Sequence, residues 1–375
     1  MIIAIDGYEA NVQNRVGIGR YAFEILTHLH EIVDVSRHSV RIYLPSSPLP
    51  DMPKATAGWK YRVIGPRKFW TFIGFPKALF WDKPAANVIF SPTHYAPRFV
   101  HIPSVISIMD LSYLYFPEMF RVKDLHQLVH WSAYSIRHAS KILTISESTK
   151  HAIMEAYKVP EHRIIVTYPG FTKLSMVEGD VIKKYQLPPR YILSVGTIQP
   201  RKNYVRLMEA FAQAAKTLAS HYPDITLVIV GKKGWLYEKI LEAPQKWGIS
   251  EKVKFLDFVP DKDLPDLYKH ALCFALPSLY EGFGLPVLEA MAYGCPVVVS
   301  NVSSLPEIAE KAGVYVDPQD VESIAQGLVK VAEEKNKKSG KDRIAIGLAQ
   351  VKKFSWEKAA KQTLEVLEEV GKGKV

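Results

Sequence analysis

Cysteine is nearly missing from this chain of 375 residues: only Cys273 and Cys295 occur, each inside an apolar stretch. A disulfide framework is therefore not expected, and a reducing, cytoplasmic setting is. No apolar run is long enough to span a bilayer, and the opening MIIAIDGYEAN lacks both the charged leader and the length of a signal sequence. The expectation is a soluble protein, or one held only peripherally at the inner face of the cell membrane. Long basic runs, fixed-period repeats and low-complexity tracts are also lacking. The formal charge of +10 comes from scattered doublets, which favours small anionic ligands or an acidic surface over nucleic acid. The charge is uneven: 22 basic against 15 acidic residues through Gln186 (+7), then 26 against 23 (+3), with ten of the twelve histidines in the first part.

What the chain does have is alternation. Its length exceeds what one core usually supports, so two domains are expected. Apolar strands are predicted at 2–5, 40–44, 61–64, 87–90, 104–109, 141–145 and 164–167, mostly separated by helical stretches. A second series follows at 191–195, 225–230, 253–256, 272–276, 296–299 and 313–316. Such alternation indicates parallel sheets covered on both faces. Between the two series the pattern weakens: FTKLSMVEGD is polar and irregular and Leu187-Pro188-Pro189 resists regular structure, which places the boundary there. Ser355 is positioned to cap a last helix from about Trp356 to Val370, with a Lys-rich tail beyond it expected to be disordered. Phe69 to Trp81, FWTFIGFPKALFW, is dense in aromatics and bordered by Arg67, Lys68, Lys77 and Lys83. It suits either a helix buried against the sheet or contact with a membrane interface.

Glycine loops at strand ends carry the chemistry. In ALPSLYEGFGLPVLEAMAYGCP, a strand ending at Pro277-Ser278 leads through Gly282 and Gly284 into a helix beginning at Leu285, with Pro286 in its first turn. Backbone N–H groups and roughly half a positive charge at that helix end suit an anion such as a diphosphate. Glu281 and Glu289 flank the loop, although the same residues also suit a plain turn and a dipole contact. Gly196-Thr197-Ile198-Gln199-Pro200-Arg201-Lys202 follows the first strand of the second series. Strand ends of this kind bind ligands in open α/β sheets, Arg201 can fork two phosphate oxygens, and Lys202 acts as a point charge. Gly231-Lys232-Lys233-Gly234-Trp235 closes the next strand, and Gly17-Ile18-Gly19 opens the first helix. Trp235 is read as packing on a nucleotide or capping the helix that follows it.

Together, VGTIQPRKN, VGKKGW and LPSLYEGFGLPVLEAMAYGCPVVVSNVSSLPE resemble the nucleotide-sugar-binding half of the retaining family-4 glycosyltransferases, and most of all the subgroup containing bacterial mannosyltransferases of polysaccharide assembly. GIGRY, SPTHYAP, SIMDL, LTISEST and FSWEKAA extend the resemblance over most of the chain. It implies an α/β fold of two facing Rossmann-like, doubly wound domains (the GT-B arrangement) with a C-terminal helix crossing back to the first. Residues 1–186 would bind the acceptor, 187–355 the nucleotide sugar, and 356–375 would form that helix.

The resemblance also assigns roles. Glu281, with the Gly282 and Phe283 amides and the helix opened by Gly284 and Leu285, would hold the donor sugar. Glu289 would grip the ribose diol, and Arg201 and Lys202 would neutralise the departing diphosphate, assisted by the Gly17–Gly19 loop. Gly196, Gly231 and Lys232 would line the same site. Transfer with retention would need no protein base, no metal and no cofactor beyond the donor, a GDP-mannose or UDP-hexose; the acceptor would be a glycan or lipid-linked glycan. Many members carry His where this chain has Met109, beside Asp110, and His94 is the candidate for that polar role; Asp110 and His94 complete the catalytic candidates. Many also have Arg where Thr197 stands, and Arg201 is the candidate substitute. The alternatives are a nucleotide-sugar epimerase of the same fold and a non-catalytic nucleotide-sugar-binding protein.

Overall fold

The computed structural model describes every residue except Pro66, 175–180 and 374–375, so part of the irregular FTKLSMVEGD stretch and the end of the tail lie outside the described residues. The chain divides into two compact units. The first contains Met1–Leu114, Val122–Gly170 and Ser355–Val375; the second contains Tyr115–Arg121 and Phe171–Phe354.

In the first unit, seven strands form one fully parallel sheet: β1 Ile2–Asp6, β2 Ser39–Leu44, β3 Trp59–Val63, β4 Val88–Ser91, β5 Ser104–Ile108, β6 Lys141–Thr144 and β7 Ile164–Val166. Their spatial order is 3-2-1-4-5-6-7. The chain thus builds outward from β1 in one direction and then returns to build from β1 in the other. Connecting helices fall on both faces, which is why β1 and β4 to β6 read as nearly unbroken apolar runs. Helix α1 (Ile18–Ile32) buries Tyr21, Ile25, Leu26 and Leu29 on one stripe. Gly17, at its N-cap, has φ 51° and ψ −115°, a conformation that a side chain resists.

The aromatic stretch divides between core and surface. A π-turn at Trp70–Gly74 runs into α2 (Phe75–Trp81), burying Trp70, Phe75 and Leu79 with Tyr43 and Ile89. Phe80 and Trp81 are about seven-tenths exposed. Helix α3 spans Val122–His138.

The C-terminal helix, Trp356–Gly371, belongs to this first unit, as expected. Ser355 Oγ accepts from the Lys358 amide at its N-terminus. Trp356 packs near Tyr21 with ring centroids 6.1 Å apart, and Glu368 and Glu369 meet His38 at 2.9 Å and Lys141 at 3.1 Å.

The second unit has its own parallel sheet: β8 Tyr191–Val195, β9 Thr226–Val230, β10 Val253–Leu256, β11 Cys273–Leu276, β12 Val297–Ser300 and β13 Gly313–Val316, in the order 10-9-8-11-12-13. Every predicted strand forms, with ends moved by no more than a residue or two. Helices α4 (Tyr204–Leu218) and α5 (Leu285–Ala292) follow β8 and β11. Two segments fall outside the expected division at 186. Residues 171–174 and 181–186 lie with the second unit because Tyr293 Oη accepts from the Leu174 amide at 2.9 Å, and Lys184 and Tyr185 donate to Asp263 at 2.5 and 2.7 Å. Tyr115–Arg121 also lies with it. Tyr115 stacks on Tyr280, 5.4 Å between centroids, and Trp235 Nε1 donates to the Met119 carbonyl at 2.6 Å. Neither reading of Trp235 from sequence anticipated this bond.

Each sheet has one switch point, between β1 and β4 and between β8 and β11, where the chain reverses the direction in which it adds strands. Crevices that take ligands open at the carboxyl ends of such strands.

Candidate active site

At the second unit's switch point, the loop after β8 and the loop after β11 are tied together. Ser194 Oγ donates to the Ala275 carbonyl at 2.7 Å, and the Leu279 amide donates to the Arg201 carbonyl at 2.9 Å. Asn203 Nδ2 donates to the Pro277 carbonyl at 2.9 Å and the Pro318 carbonyl at 2.7 Å. This lacing brings Glu281 onto the two expected cations. Lys202 Nζ lies 2.6 Å from Glu281 Oε1, Arg201 Nη1 lies 3.2 Å from Oε2, and Ser278 Oγ donates to Oε1 at 2.6 Å. Arg201 also donates to the Tyr280 carbonyl.

Glu281 is 6% exposed and Lys202 8%. Burial alone would raise the Glu281 carboxyl, but the Lys202 and Arg201 charges, with the Lys202 and Ser278 hydrogen bonds, outweigh it and hold the pKa down to about 2. The cluster is two cations around one ionised carboxylate, fixed in position and carrying a surplus positive charge for an anion.

The glycines act by close approach. A Cβ on Gly231 would run into the Gly196 carbonyl, so the loops after β8 and β9 can touch only as glycines. Gly284, with φ 104°, is the N-cap of α5. The loop from Glu281 to Gly284 is held from behind by serines not singled out in the sequence: Ser303 Oγ accepts from the Glu281 amide at 3.0 Å, and Ser304 Oγ donates to the Glu281 and Phe283 carbonyls at 3.0 and 2.9 Å. The signal for them was NVSS immediately after β12.

Glu289, one turn into α5, accepts from the fully buried Tyr268 hydroxyl at 2.7 Å. Burial and the neighbouring Glu289 push the Tyr268 phenol well up, which keeps it a donor. Lys232 is exposed and lies over the Phe258 ring at 4.5 Å.

In the first unit, Gly19 packs against the Glu9 carbonyl beneath α1. His94 Nε2 accepts from the Met109 amide at 3.0 Å, while Thr149 Oγ1 donates to the Met109 carbonyl at 3.2 Å. Burial lowers the His94 pKa, so the ring is neutral with its proton on Nδ1. Asp110 Oδ1 accepts from Ser112 N at 2.8 Å and Ser112 Oγ at 2.6 Å, shaping the turn after β5. The structure thus brings Met109, His94 and Asp110 to one strand end, with His94 Nε2 and Asp110 Oδ1 engaged by the chain itself.

Residues 180–345 match the family model described as Glycosyl transferases group 1. Over 314 residues the chain is 33% identical to O-antigen chain mannosyltransferase B of Escherichia coli, covering 81% of this chain and 78% of that one. The chain belongs to the group 1 glycosyl transferases. This glycosyltransferase is also 31% identical over 235 residues to the serotype-specific mannosyltransferase WbdA of Escherichia coli, spanning 28% of that longer protein. Its fold resembles that of Anabaena Alr3699/HepE, solved in complex with UDP-glucose, with a TM-score of 0.71 at 19% identity and coverage of 98% and 99% of the two chains. The family match and the likeness to the curated mannosyltransferase favour glycosyl transfer over the epimerase and the non-catalytic binder.

Proposed function

We propose that this glycosyltransferase moves mannose from GDP-mannose, with retention, onto a glycan or lipid-linked glycan. The observation that carries the reading is the Arg201–Glu281–Lys202 cluster at the β8/β11 switch point. Breaking the anomeric C–O bond places negative charge on the departing diphosphate and positive character on the sugar. Fixed cations stabilise the first without having to reorganise, and removing such a group typically costs about 100- to 1,000-fold in rate. Glu281, with the Gly282 and Phe283 amides, is assigned to the sugar and Glu289 to the ribose diol. The acceptor hydroxyl attacks the face the diphosphate leaves, and its proton passes to the leaving phosphate oxygen. The reading needs no cofactor beyond the donor. Mannose is favoured by the names of the curated relatives.

The test is GDP release from GDP-mannose that depends on an added mannose-terminated acceptor, followed by NMR of the product's anomeric proton. An α-linked product supports the proposal; a β-linked product refutes retention, and turnover with UDP-glucose alone refutes the donor. No helix among the described residues is long and apolar enough to cross a membrane. For a lipid-linked acceptor we propose that Phe80 and Trp81, with Lys83 beside the Phe80 ring at 6.0 Å, rest on the anionic inner face of the cell membrane from the cytoplasm. Flotation with anionic liposomes, lost in Phe80→Ser/Trp81→Ser, is the expected result.

A further inference from the structure

Glu289 is held in place by groups that lie far from it in the chain. It stands on α5, and Tyr293 follows it by one helical turn on the same side. Gly294, with φ 70°, ends the helix there, and the Gly294 and Cys295 amides donate to the Met291 and Ala290 carbonyls at 3.1 and 2.9 Å. The Tyr293 amide donates in turn to the Glu289 and Ala290 carbonyls at 3.2 and 3.3 Å. Tyr293 is therefore fixed at its backbone end.

Its hydroxyl end is fixed as well. Besides accepting from the Leu174 amide, Tyr293 Oη donates to the Leu174 carbonyl at 3.1 Å, so one hydroxyl satisfies both backbone groups of a residue 119 positions earlier. The Phe171 ring meets Tyr293 edge to face, 5.9 Å between centroids. Burial raises the Tyr293 phenol, the Leu174 backbone draws it down and Glu289 adds to the rise.

A ring pinned at both ends is a rigid surface for its neighbour. Tyr268, on the short helix Leu264–His270, stacks on it with centroids 6.2 Å apart and planes 11° apart, and Phe274 packs edge to face on Tyr268 at 5.6 Å. Tyr268 is fully buried, so these rings block the tilt that would carry its Oη away from Glu289 Oε2. Packing and hydrogen bonds behind a binding group are what hold it in a productive geometry. The line of support runs from Leu174 through Tyr293 and Tyr268 to the carboxylate.

We infer that Tyr293 is a positioning residue for the nucleotide grip: braced by the Phe171–Leu174 segment, it holds Tyr268, and through it the Glu289 carboxylate, where both hydroxyls of a ribose diol can donate to it. The inference rests on the ribose role given to Glu289 above. It also gives a donor-side task to residues 171–174, which the division at 186 assigned to the acceptor-binding half.

The experiment compares two nucleotides that differ by one hydroxyl. GDP and 2′-deoxy-GDP are titrated by calorimetry into the full-length wild type, Glu289→Ala, Tyr268→Phe, Tyr293→Phe and Tyr268→Phe/Tyr293→Phe. The phenylalanines keep the ring contacts and drop only an oxygen. Phe171→Ala is a second route, since it removes the brace from a half-buried position.

The wild type should prefer GDP by roughly tenfold, Glu289→Ala should show no preference, and Tyr293→Phe and Phe171→Ala should each narrow it to roughly threefold. The double variant should match Tyr268→Phe alone, because Tyr293 acts through Tyr268. A merely structural role would weaken both nucleotides alike and keep their ratio at the wild-type value. That result, or losses that add in the double variant, overturns the inference and leaves the ribose role standing when Glu289→Ala has lost the preference. Full preference in Glu289→Ala overturns the ribose role and the inference with it. Should the wild type bind UDP instead of GDP, the donor reading falls, and the ratio of UDP to 2′-deoxy-UDP decides the inference by the same outcomes.

Discussion

Glu281 and Asp6 are both buried carboxyls at strand ends, and their surroundings push them in opposite directions. Glu281 has two cations within reach and its pKa falls to about 2; Asp6 is raised to about 7 by burial and by the like charge of Glu9, against which the Tyr8 and Trp70 hydrogen bonds pull only in part. The consequences for stability have opposite signs. The Glu281 interactions are fully present above its unfolded value of 4.5 and are lost as pH falls toward 2. Asp6 favours the folded state while protonated, and that advantage disappears as pH rises from its unfolded value of 3.8 through about 7. Asp6→Asn should therefore gain stability relative to wild type as pH rises from about 4 to about 7, by an amount of order 1 kcal/mol or more, read from urea midpoints.

Glu281→Ala leaves Lys202 buried without its counter-charge and should cost about 3–5 kcal/mol as well as most of the activity. Glu281→Leu/Lys202→Met should recover much of that stability and remain inactive. A double variant as unstable as the single one would show that the pair is not the main source of the loss. Tyr268→Phe removes the donor to Glu289 and is expected to weaken GDP binding roughly five- to tenfold, measured by calorimetry, with kcat much less affected.

At the scale of elements, the strand-end loops behave as one assembly because side-chain and backbone hydrogen bonds tie them together. Gly231→Ala forces its methyl into the Gly196 carbonyl, so it should lower both the melting temperature and GDP affinity. A normal GDP affinity would mean that the β8 and β9 loops are independent. Ser355→Ala removes an N-cap and should cost about 1 kcal/mol in urea unfolding, since one orphan amide of the C-terminal helix loses its acceptor. The strand and helix assignments were legible because parallel strands are short apolar runs and helix starts carry local capping chemistry. Tyr115–Arg121 was not legible: what places it in the second unit is stacking on Tyr280 and a bond from Trp235, partners far along the chain.

For the whole molecule, the C-terminal helix is the clearest case of a distant segment completing a core. Trp356 is 4% exposed and Leu367 is fully buried, packed in a unit whose other segments end at Gly170. Deleting residues 355–375 uncovers that apolar surface and should leave a protein that aggregates or unfolds at markedly lower urea. A truncated protein that is monomeric and equally stable would show that the helix is dispensable to the first unit.

Local sequence was sufficient for the two strand series and the glycine loops that close them, because each depends on residues within a few positions of one another. It also named Arg201, Lys202 and Glu281, but as residues 79 or 80 apart with no stated contact. Only the tertiary structure made them one buried cluster, joined Glu289 to Tyr268, and set Asp6 against Trp70 across 64 residues. The physical reason is that desolvation and charge pairing belong to spatial neighbours. A carboxyl's pKa, and so its chemistry, is decided by what the fold packs around it.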